Sequence, residues 1–218
     1  MGYQLDTFET DPCLVQGSKA WLELRKTKIT ATDAAVCMGL NPWCKLMQRY
    51  EEKLGLCPPP FQNAAMARGV AYEEEARQCF EKLADIQVYP RVIVRDWQMA
   101  SLDGIDFDDT CVVEIKVGGK KLHDLAKKGV VPVYYRCQVQ HQIDLAGVDY
   151  AYFFSYRPAV FEINPFNGKF TGVVLEEAEG IIVPVERNDT FIKEMTMAEW
   201  AFYECLITKT PPREAVLI

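Results

Sequence analysis

The stretch SLDGIDFDDTCVVEIKV, residues 101–117, decides the fold of this chain. It predicts two short extended segments joined by a turn, and the second segment is apolar except at Glu114 and Lys116. Because side chains two positions apart on a strand project from the same face, these two share a face with Val112. Burying even a neutral polar group without a partner costs roughly 2–7 kcal/mol, so the Glu114 carboxylate needs a compensating neighbour.

A second carboxylate stands a short way upstream. Asp103 lies in the turn-like sequence LDG and can approach Glu114 from the neighbouring segment. Two carboxylates beside a lysine suit Mg²⁺-dependent hydrolysis of phosphodiesters, in which the acids hold the cation and Lys116 positions or activates the water. An ordinary ion pair at the end of a sheet is the alternative interpretation of the EIK sequence.

Length and composition favour one folded domain. The chain has 218 residues, of which 49% are apolar and 25% charged. We predict a single domain over 1–218, with a helical N-terminal part at about 18–60 and a core at about 64–208. The net charge of −7 argues against a surface coated in positive charge. It leaves room for a local basic channel, for which the lysine-rich segment 116–128 is the candidate.

Neither the cysteines nor the first residues of the sequence predict a metal site or a targeting segment. The chain has 8 cysteines and 2 histidines, and none of the cysteines forms a CxxC pair, so a zinc site is poorly supported. We expect free thiols in a reducing cytoplasm. The first residues lack a basic start followed by an apolar stretch, and no apolar run is long enough to cross a membrane, so we expect neither a signal peptide nor a membrane span.

The order of the predicted elements indicates an α/β or α+β fold, with helices around a central group of strands. Ser18 caps the first predicted helix and Thr30 or Thr32 the second, and further helices are predicted at about 44–53, 64–83, 133–147 and 190–208, the last capped by Asp189. Strands are predicted at 87–96, 110–117, 149–156 and 180–187.

Two predicted helices add polar candidates. In the helix at 64–83, an apolar stripe through Ala76, Phe80 and Leu83 places Glu73 on the inward face. The polar neighbours that can face water are Glu74, Glu75, Arg77, Gln78 and Glu81. An acid in the first turn, favoured there by the helix dipole, is the alternative. In the helix at 133–147, Gln138 and Gln142 share a face and can orient a water or donate to phosphate, although solvated glutamines would give the same pattern.

Taken together, these pieces resemble the phage lambda exonuclease and YqaJ-type viral recombinase family, within the PD-(D/E)xK nuclease superfamily. The resemblance rests on the ordered stretches AWLELRKTKITATDAA (20–35), NPW (41–43), ARGVAYEEEARQCFE (67–81), SLDG (101–104), EIK (114–116) and CQVQHQIDLAGVDYAYF (137–153). It implies a restriction-endonuclease-like core, with a central mixed β-sheet flanked by helices. Leu102 stands where many members of the superfamily have proline, a position that shapes the turn and supplies no ligand.

The resemblance also implies a role for each matching residue. One or two Mg²⁺ ions, which Mn²⁺ would replace, are expected to bind the carboxylates of Glu73, Asp103 and Glu114 and the main-chain carbonyl of Ile115. Lys116 is expected beside the attacking water, and Gln138 completes the catalytic motif. The 5′-phosphate end of DNA is expected to meet Arg25, Thr32 and Ser101.

The implied activity is digestion of linear double-stranded DNA from 5′-phosphorylated ends to mononucleotides, in the 5′-to-3′ direction. The 3′ single-stranded tails would pass to a single-strand annealing protein during recombination. The resemblance further implies a homotrimeric ring and a phage or prophage protein acting in the cytoplasm of a bacterial host. A basic inner surface would let such a ring slide along DNA.

Two other functions are compatible with parts of this sequence. One is another PD-(D/E)xK nuclease of RecB or Cas4 type, although the single cysteine beyond Cys137 does not support the iron–sulfur cluster of Cas4-like proteins. The other is a catalytically inactive adaptor for DNA ends or for the annealing protein. The intact set of acids and lysine argues against an inactive adaptor.

Overall fold

A computed structural model of the chain describes residues 14–58, 64–163 and 170–213. The helices are α1 (Lys19–Thr27), α2 (Ala31–Cys37), α3 (Leu46–Leu54), α4 (Ala64–Ala84), α5 (Lys120–Ala126), α6 (Val133–Ala146) and α7 (Asp189–Thr208). The strands are β1 (Ile29–Thr30), β2 (Val88–Arg95), β3 (Gln98–Asp106), β4 (Cys111–Val117), β5 (Tyr150–Arg157), β6 (Val160–Ile163), β7 (Phe170–Glu176) and β8 (Glu179–Glu186).

A six-stranded mixed sheet forms the centre of the fold. β3 pairs antiparallel with β2 and β4 and parallel with β1, while β4 runs parallel to β5 and β5 antiparallel to β8. β6 and β7 form a separate antiparallel pair. The predicted fold class, a mixed sheet flanked by helices, is confirmed.

Helices cover both faces of this sheet. On β4, Val112 packs in the same apolar cluster as Ile143 of α6, whereas the next residue, Val113, packs with Phe80 of α4. Consecutive strand residues point to opposite faces, so α6 and α4 lie on opposite sides of the sheet. Glu114 shares the face of Val112 and therefore lies on the α6 side.

Several helix ends follow the local sequence signals. The Ser18 hydroxyl accepts a hydrogen bond from the Trp21 amide and caps α1. Thr30 is the N-cap of α2, and Gly55 ends α3 in the left-handed conformation at φ 68°. Asn188 rather than Asp189 caps α7, because its side chain accepts from the Phe191 amide.

The prediction of a turn at LDG is wrong. Residues 102–104 lie inside β3, and the chain turns only at 107–109 before β4 begins. Gly104 is needed for another reason: a Cβ there would stand 2.7 Å from Cγ2 of Val88 on the paired strand. The glycine thus permits close packing across β2 and β3 instead of a change of direction.

The described part of the chain can be compared with the expectations of free thiols and of no membrane span. Its seven cysteines are free thiols. None of its helices combines the length and the apolar character that crossing a bilayer requires.

A buried polar network ties α6 and α7 to β3. His141 Nδ1 lies 2.7 Å from Glu199 Oε1, and His141 Nε2 lies 3.2 Å from the Met99 carbonyl oxygen. Gln98 Nε2 donates to the second Glu199 oxygen at 2.9 Å. Because both ring nitrogens face acceptors, the histidine is held as an imidazolium. Burial opposes that charge, but Glu199 outweighs burial and raises the pKa of His141.

This ion pair predicts a pH-dependent free energy of unfolding. His141 takes up its proton more readily when folded, so its contribution is complete below its ordinary pKa of about 6.5 and is lost as pH rises through the raised value. We expect Glu199→Gln to lower the free energy of unfolding by roughly 3–5 kcal/mol near pH 6 and by less near pH 9. Urea unfolding of parent and variant between pH 6 and pH 9 measures this difference in the free energy of unfolding. A difference that does not change with pH would contradict the ion pair between His141 and Glu199.

Candidate active site

The pairing of β3 with β4 brings the two predicted carboxylates together. The Ile115 amide donates to Asp103 Oδ2 at 2.8 Å, which places Asp103 beside the strand that carries Glu114. Glu114 is fully buried, and Lys116 donates to its Oε1. The predicted shared face of Glu114 and Lys116 is therefore confirmed, although Asp103 reaches it from a strand and not from a turn.

The charges of these three groups are strongly coupled. Burial and then the charge of Glu114 raise the pKa of Asp103 to about 8, against the opposing effect of the Lys116 charge. Burial lowers the pKa of Lys116, but the two carboxylates outweigh burial and raise it above its ordinary value. At neutral pH Lys116 is therefore charged, while Asp103 mostly keeps its proton.

This donor set fits a hard divalent cation. Burial and the charge of Glu114 disfavour the ionised form of Asp103. A cation that takes the place of the Asp103 proton relieves this cost, and Mg²⁺ prefers oxygen ligands of this kind. Ile115, whose main-chain carbonyl is a predicted ligand, lines the same cleft. Within the described residues, no group of three or more His, Cys, Asp or Glu side chains is arranged to hold a metal ion.

Glu73, the third predicted carboxylate, reaches the cleft from the other side of the sheet. Its charge contributes to the raised pKa of Asp103, but its Oε1 accepts from Arg77 Nη2 at 3.3 Å. The expectation that Arg77 faces water is wrong, because Arg77 Nε donates to the Asp103 carbonyl at 3.0 Å. Leu83, expected on the buried stripe of α4, is 55% exposed. Coordination by Glu73 therefore stays a prediction that requires it to turn from Arg77 toward Asp103.

The two glutamines on the shared face of α6 have different surroundings. Gln138, the predicted catalytic glutamine, lines the cleft with Asp103 and Lys116. Gln142 is fully buried, and its Nε2 donates to Glu114 Oε2 at 2.5 Å. The helical period predicted the face on which Gln142 lies but not its contact with Glu114.

Trp21 connects the residues that are predicted to bind a 5′-phosphate, which are Arg25, Thr32 and Ser101. Arg25 Nη2 lies 3.3 Å from Thr32 Oγ1, and the Arg25 guanidinium stacks over the Trp21 ring at 4.5 Å. Trp21 Nε1 donates to Ser101 Oγ at 2.8 Å. Trp21 was missed, although its position one helical turn before Arg25 is the signal that could have identified it.

A buried ion-pair network fixes the backbone at Arg25. Asp33 lies 2.8 Å from Lys53 Nζ and 3.4 Å from Arg49 Nε. Burial raises the pKa of Asp33, but the two cations outweigh burial and lower it to about 2. Lys53 also donates to the carbonyls of Arg25 and Lys28, at 2.8 and 2.7 Å. The end of α1 is therefore fixed against α3, which holds the guanidinium in place.

One cleft of about 850 Å³ joins the carboxylates to part of the predicted phosphate pocket, because Thr32, Asp103 and Lys116 all line it. Aromatic rings form one wall: Trp43 meets Tyr134 edge-on at 4.8 Å, and Tyr134 meets Tyr135 at 4.6 Å. Trp43 is 68% exposed. Its backbone is fixed because Asn41 Oδ1 accepts from the Trp43 and Cys44 amides, which also explains why α3 begins at Leu46 and not at Cys44.

The lysine-rich segment is only partly available as a basic surface. Lys120, Lys121 and Lys128 are exposed, and Lys121 lines the cleft. Lys127 instead pairs with Glu179 at 2.7 Å. The candidate basic channel therefore has fewer unpaired charges in this segment than the sequence suggested.

Comparison with known proteins gives both a family and a fold. A family model for the YqaJ-like viral recombinase domain matches residues 20–149. The uncharacterized protein YqaJ of Bacillus subtilis strain 168 is 25% identical over 189 residues, which cover 84% of this chain and 54% of YqaJ. The chain thus spans about half the length of this curated relative.

Solved structures of exonucleases share the fold. The alkaline exonuclease LHK-Exo of Laribacter hongkongensis superposes with a TM-score of 0.68 at 24% identity, covering 88% of this chain and 94% of that one. The same exonuclease in complex with dAMP gives a TM-score of 0.66 at 23% identity, with the same coverage. A phage-related exonuclease of Haemophilus somnus 129PT gives 0.54 at 15% identity, covering 84% of this chain and 96% of that one. These likenesses confirm the predicted fold class, a mixed sheet flanked by helices.

Proposed function

The chain belongs to the YqaJ-like viral recombinase domain family, and on that premise we propose that it is a Mg²⁺-dependent 5′-to-3′ exonuclease. It degrades one strand of linear double-stranded DNA from a 5′-phosphorylated end, releases mononucleotides and leaves a 3′ single-stranded tail. The observation that carries the proposal is the convergence of Asp103, Glu114 and Lys116 at a cleft that also contains Thr32 of the phosphate pocket.

The carboxylates and the lysine have separate tasks in this proposal. Asp103, Glu114 and the Ile115 carbonyl hold Mg²⁺, or Mn²⁺ in its place, and Glu73 joins them from α4. When bound, the cation polarises the scissile phosphate and acidifies a water. Lys116, whose pKa is raised, stays charged and acts as a hydrogen-bond donor to the water or to phosphate oxygens, and not as the proton acceptor.

The phosphate pocket suits repeated cleavage. Water attacks the phosphorus, its oxygen forms the new P–O bond, and the 3′ oxygen of the released nucleotide departs with a proton. The shortened strand then begins with a new 5′-phosphate, which Arg25, Thr32 and Ser101 bind in turn. Arg25 is suited to this contact because a guanidinium can bind a phosphate with two parallel hydrogen bonds.

We expect Arg25→Ala to reduce the preference for 5′-phosphorylated over 5′-hydroxyl ends by about 10–100-fold, the equivalent of losing one or two charge-assisted hydrogen bonds. Steady-state rates on two duplexes that differ only in the terminal phosphate measure this ratio. Lys26→Ala is the matched control, since Lys26 is exposed and pairs with Glu23 at 2.8 Å. An unchanged ratio in the Arg25 variant would remove Arg25 from the pocket.

Polarity and product size can be tested together. A linear duplex labelled separately at its two ends is digested with and without Mg²⁺. The proposal expects a labelled mononucleotide from the 5′ end first, an intact 3′ tail and no cleavage without the cation. Cutting of closed circular DNA would favour an endonuclease, and the absence of any nucleotide release would favour an inactive adaptor.

Assembly and partners follow from the family alone. We propose a homotrimeric ring that encloses the duplex and delivers the 3′ tail to a single-strand annealing protein in a phage or prophage recombination system. Exposed Lys120, Lys121 and Lys128 would face the DNA inside such a ring and give the affinity its dependence on salt.

A further inference from the structure

The buried amide of Gln142 has only one possible orientation. Its Nε2 lies 2.5 Å from Glu114 Oε2 and 3.4 Å from the Ser101 carbonyl oxygen. Both neighbours are acceptors, so the NH₂ group must face them and use one hydrogen for each. The amide oxygen, Oε1, then points elsewhere, and within the described structure it is buried and accepts no hydrogen bond.

This arrangement is costly if Gln142 serves packing alone. An unpaired buried amide oxygen costs roughly 1–3 kcal/mol, which an apolar side chain of the same size would avoid. The neighbouring Gln140 shows the satisfied alternative, because its Nε2 donates to the Glu186 carbonyl and its Oε1 accepts from the Asn188 amide. The contact with Glu114 is therefore what distinguishes Gln142 from its neighbour.

We infer that Gln142 is a positioning residue that fixes the Glu114 carboxylate for the divalent cation. This inference rests on the metal site of the proposed function. Lys116 holds Oε1 of Glu114 and Gln142 holds Oε2, so the two contacts together fix the plane of the carboxylate. Each carboxylate oxygen keeps a second lone pair, so the oxygens can accept these bonds and still bind a cation.

The same amide links the cation site to the phosphate pocket. Gln142 donates to the Ser101 carbonyl, while the Ser101 hydroxyl accepts from Trp21 Nε1. Trp21 in turn lies under the Arg25 guanidinium. A continuous series of contacts therefore sets the position of Glu114 relative to the group proposed to hold the 5′-phosphate, and this distance must match one nucleotide of the substrate.

The test compares Gln142→Met with Gln140→Met in the full chain. Both variants lose a buried amide of α6, but only the first loses a bond to Glu114. Mn²⁺ affinity is measured by calorimetry without DNA, so that the result does not depend on activity. Hydrogen bonds to metal ligands typically contribute 10–100-fold to metal affinity, so we expect Mn²⁺ to bind at least about tenfold more weakly to Gln142→Met and equally well to Gln140→Met.

Two further measurements keep the inference testable. Gln142→Asn, whose shorter amide cannot reach Glu114, replaces the methionine variant if that variant does not fold. The Mg²⁺ concentration for half-maximal DNA cleavage should rise in the Gln142 variant, with much of the maximal rate recovered at high Mg²⁺. Equal Mn²⁺ affinity in parent and Gln142 variant, or an equal loss in both variants, would overturn the inference. A parent protein that binds Mn²⁺ but cuts no DNA would overturn the proposed exonuclease and leave the role of Gln142 intact.

Discussion

Replacing Asp103 with alanine is expected to abolish DNA cleavage while DNA binding survives. The variant removes one of two carboxylates that face each other across β3 and β4 and thereby removes a cation ligand. Loss of the metal-activated water should lower the rate by at least about a thousandfold, since the cation supplies several kcal/mol of transition-state stabilisation. Single-turnover digestion of a labelled duplex measures the rate, and fluorescence anisotropy measures binding.

The control for this variant is Asp108→Ala. Asp108 is an exposed aspartate in the turn between β3 and β4, so it shares the local sequence with Asp103 but not the cleft. The melting temperature of each variant checks folding. Cleavage at the parent rate by the Asp103 variant, or equal loss of cleavage in the Asp108 variant, would contradict the assignment.

Replacing Lys116 with alanine should also nearly abolish cleavage, but with the cation still bound. Lys116 donates to Glu114 and makes a cation–π contact with Tyr135, with Nζ 5.2 Å from the ring centre. Its removal leaves Glu114 without a competing ammonium, so Mn²⁺ should bind as tightly as to the parent or more tightly. We expect the rate to fall by roughly a hundredfold to a thousandfold, which is typical when one charge-stabilising donor is removed.

Lys193→Ala is the matched control for the lysine variant. Lys193 is exposed on α7 and lies outside the cleft lining. Calorimetry with Mn²⁺ and single-turnover kinetics on the same preparations separate metal binding from catalysis. If the Lys116 variant lost metal and activity together, the lysine would be a structural partner of Glu114 and not a participant in the reaction.

Helix ends were predictable because their signals are local. The Ser18 hydroxyl reaches an amide three residues away, and Gly55 adopts a left-handed conformation that favours glycine. The turn at LDG was mispredicted because glycine is usually a strong sequence signal for a turn. At Gly104 the deciding contact comes instead from Val88 on another strand, and no short sequence window contains that information.

In the candidate site too, the local features were predictable from sequence and the contacts between distant residues were not. The spacing of Glu114 and Lys116 predicted their shared face because the strand period is a local property. The hydrogen bond of Gln142 to Glu114 spans 28 residues and that of Trp21 to Ser101 spans 80, so both depend on how α6 and α1 pack on the sheet. The pairing of Glu73 with Arg77 was missed because both lie on α4, where the stripe of apolar residues indicated burial but not partners.

A crystal of the protein soaked in Mn²⁺ tests the central claim most directly. Anomalous scattering locates the cation without reference to activity. We expect a peak within about 2.0–2.3 Å of oxygens from Asp103 and Glu114, with the Ile115 carbonyl beside it and Glu73 turned away from Arg77. A well-ordered crystal with no peak between the two carboxylates, at a Mn²⁺ concentration that supports cleavage in solution, would contradict the account.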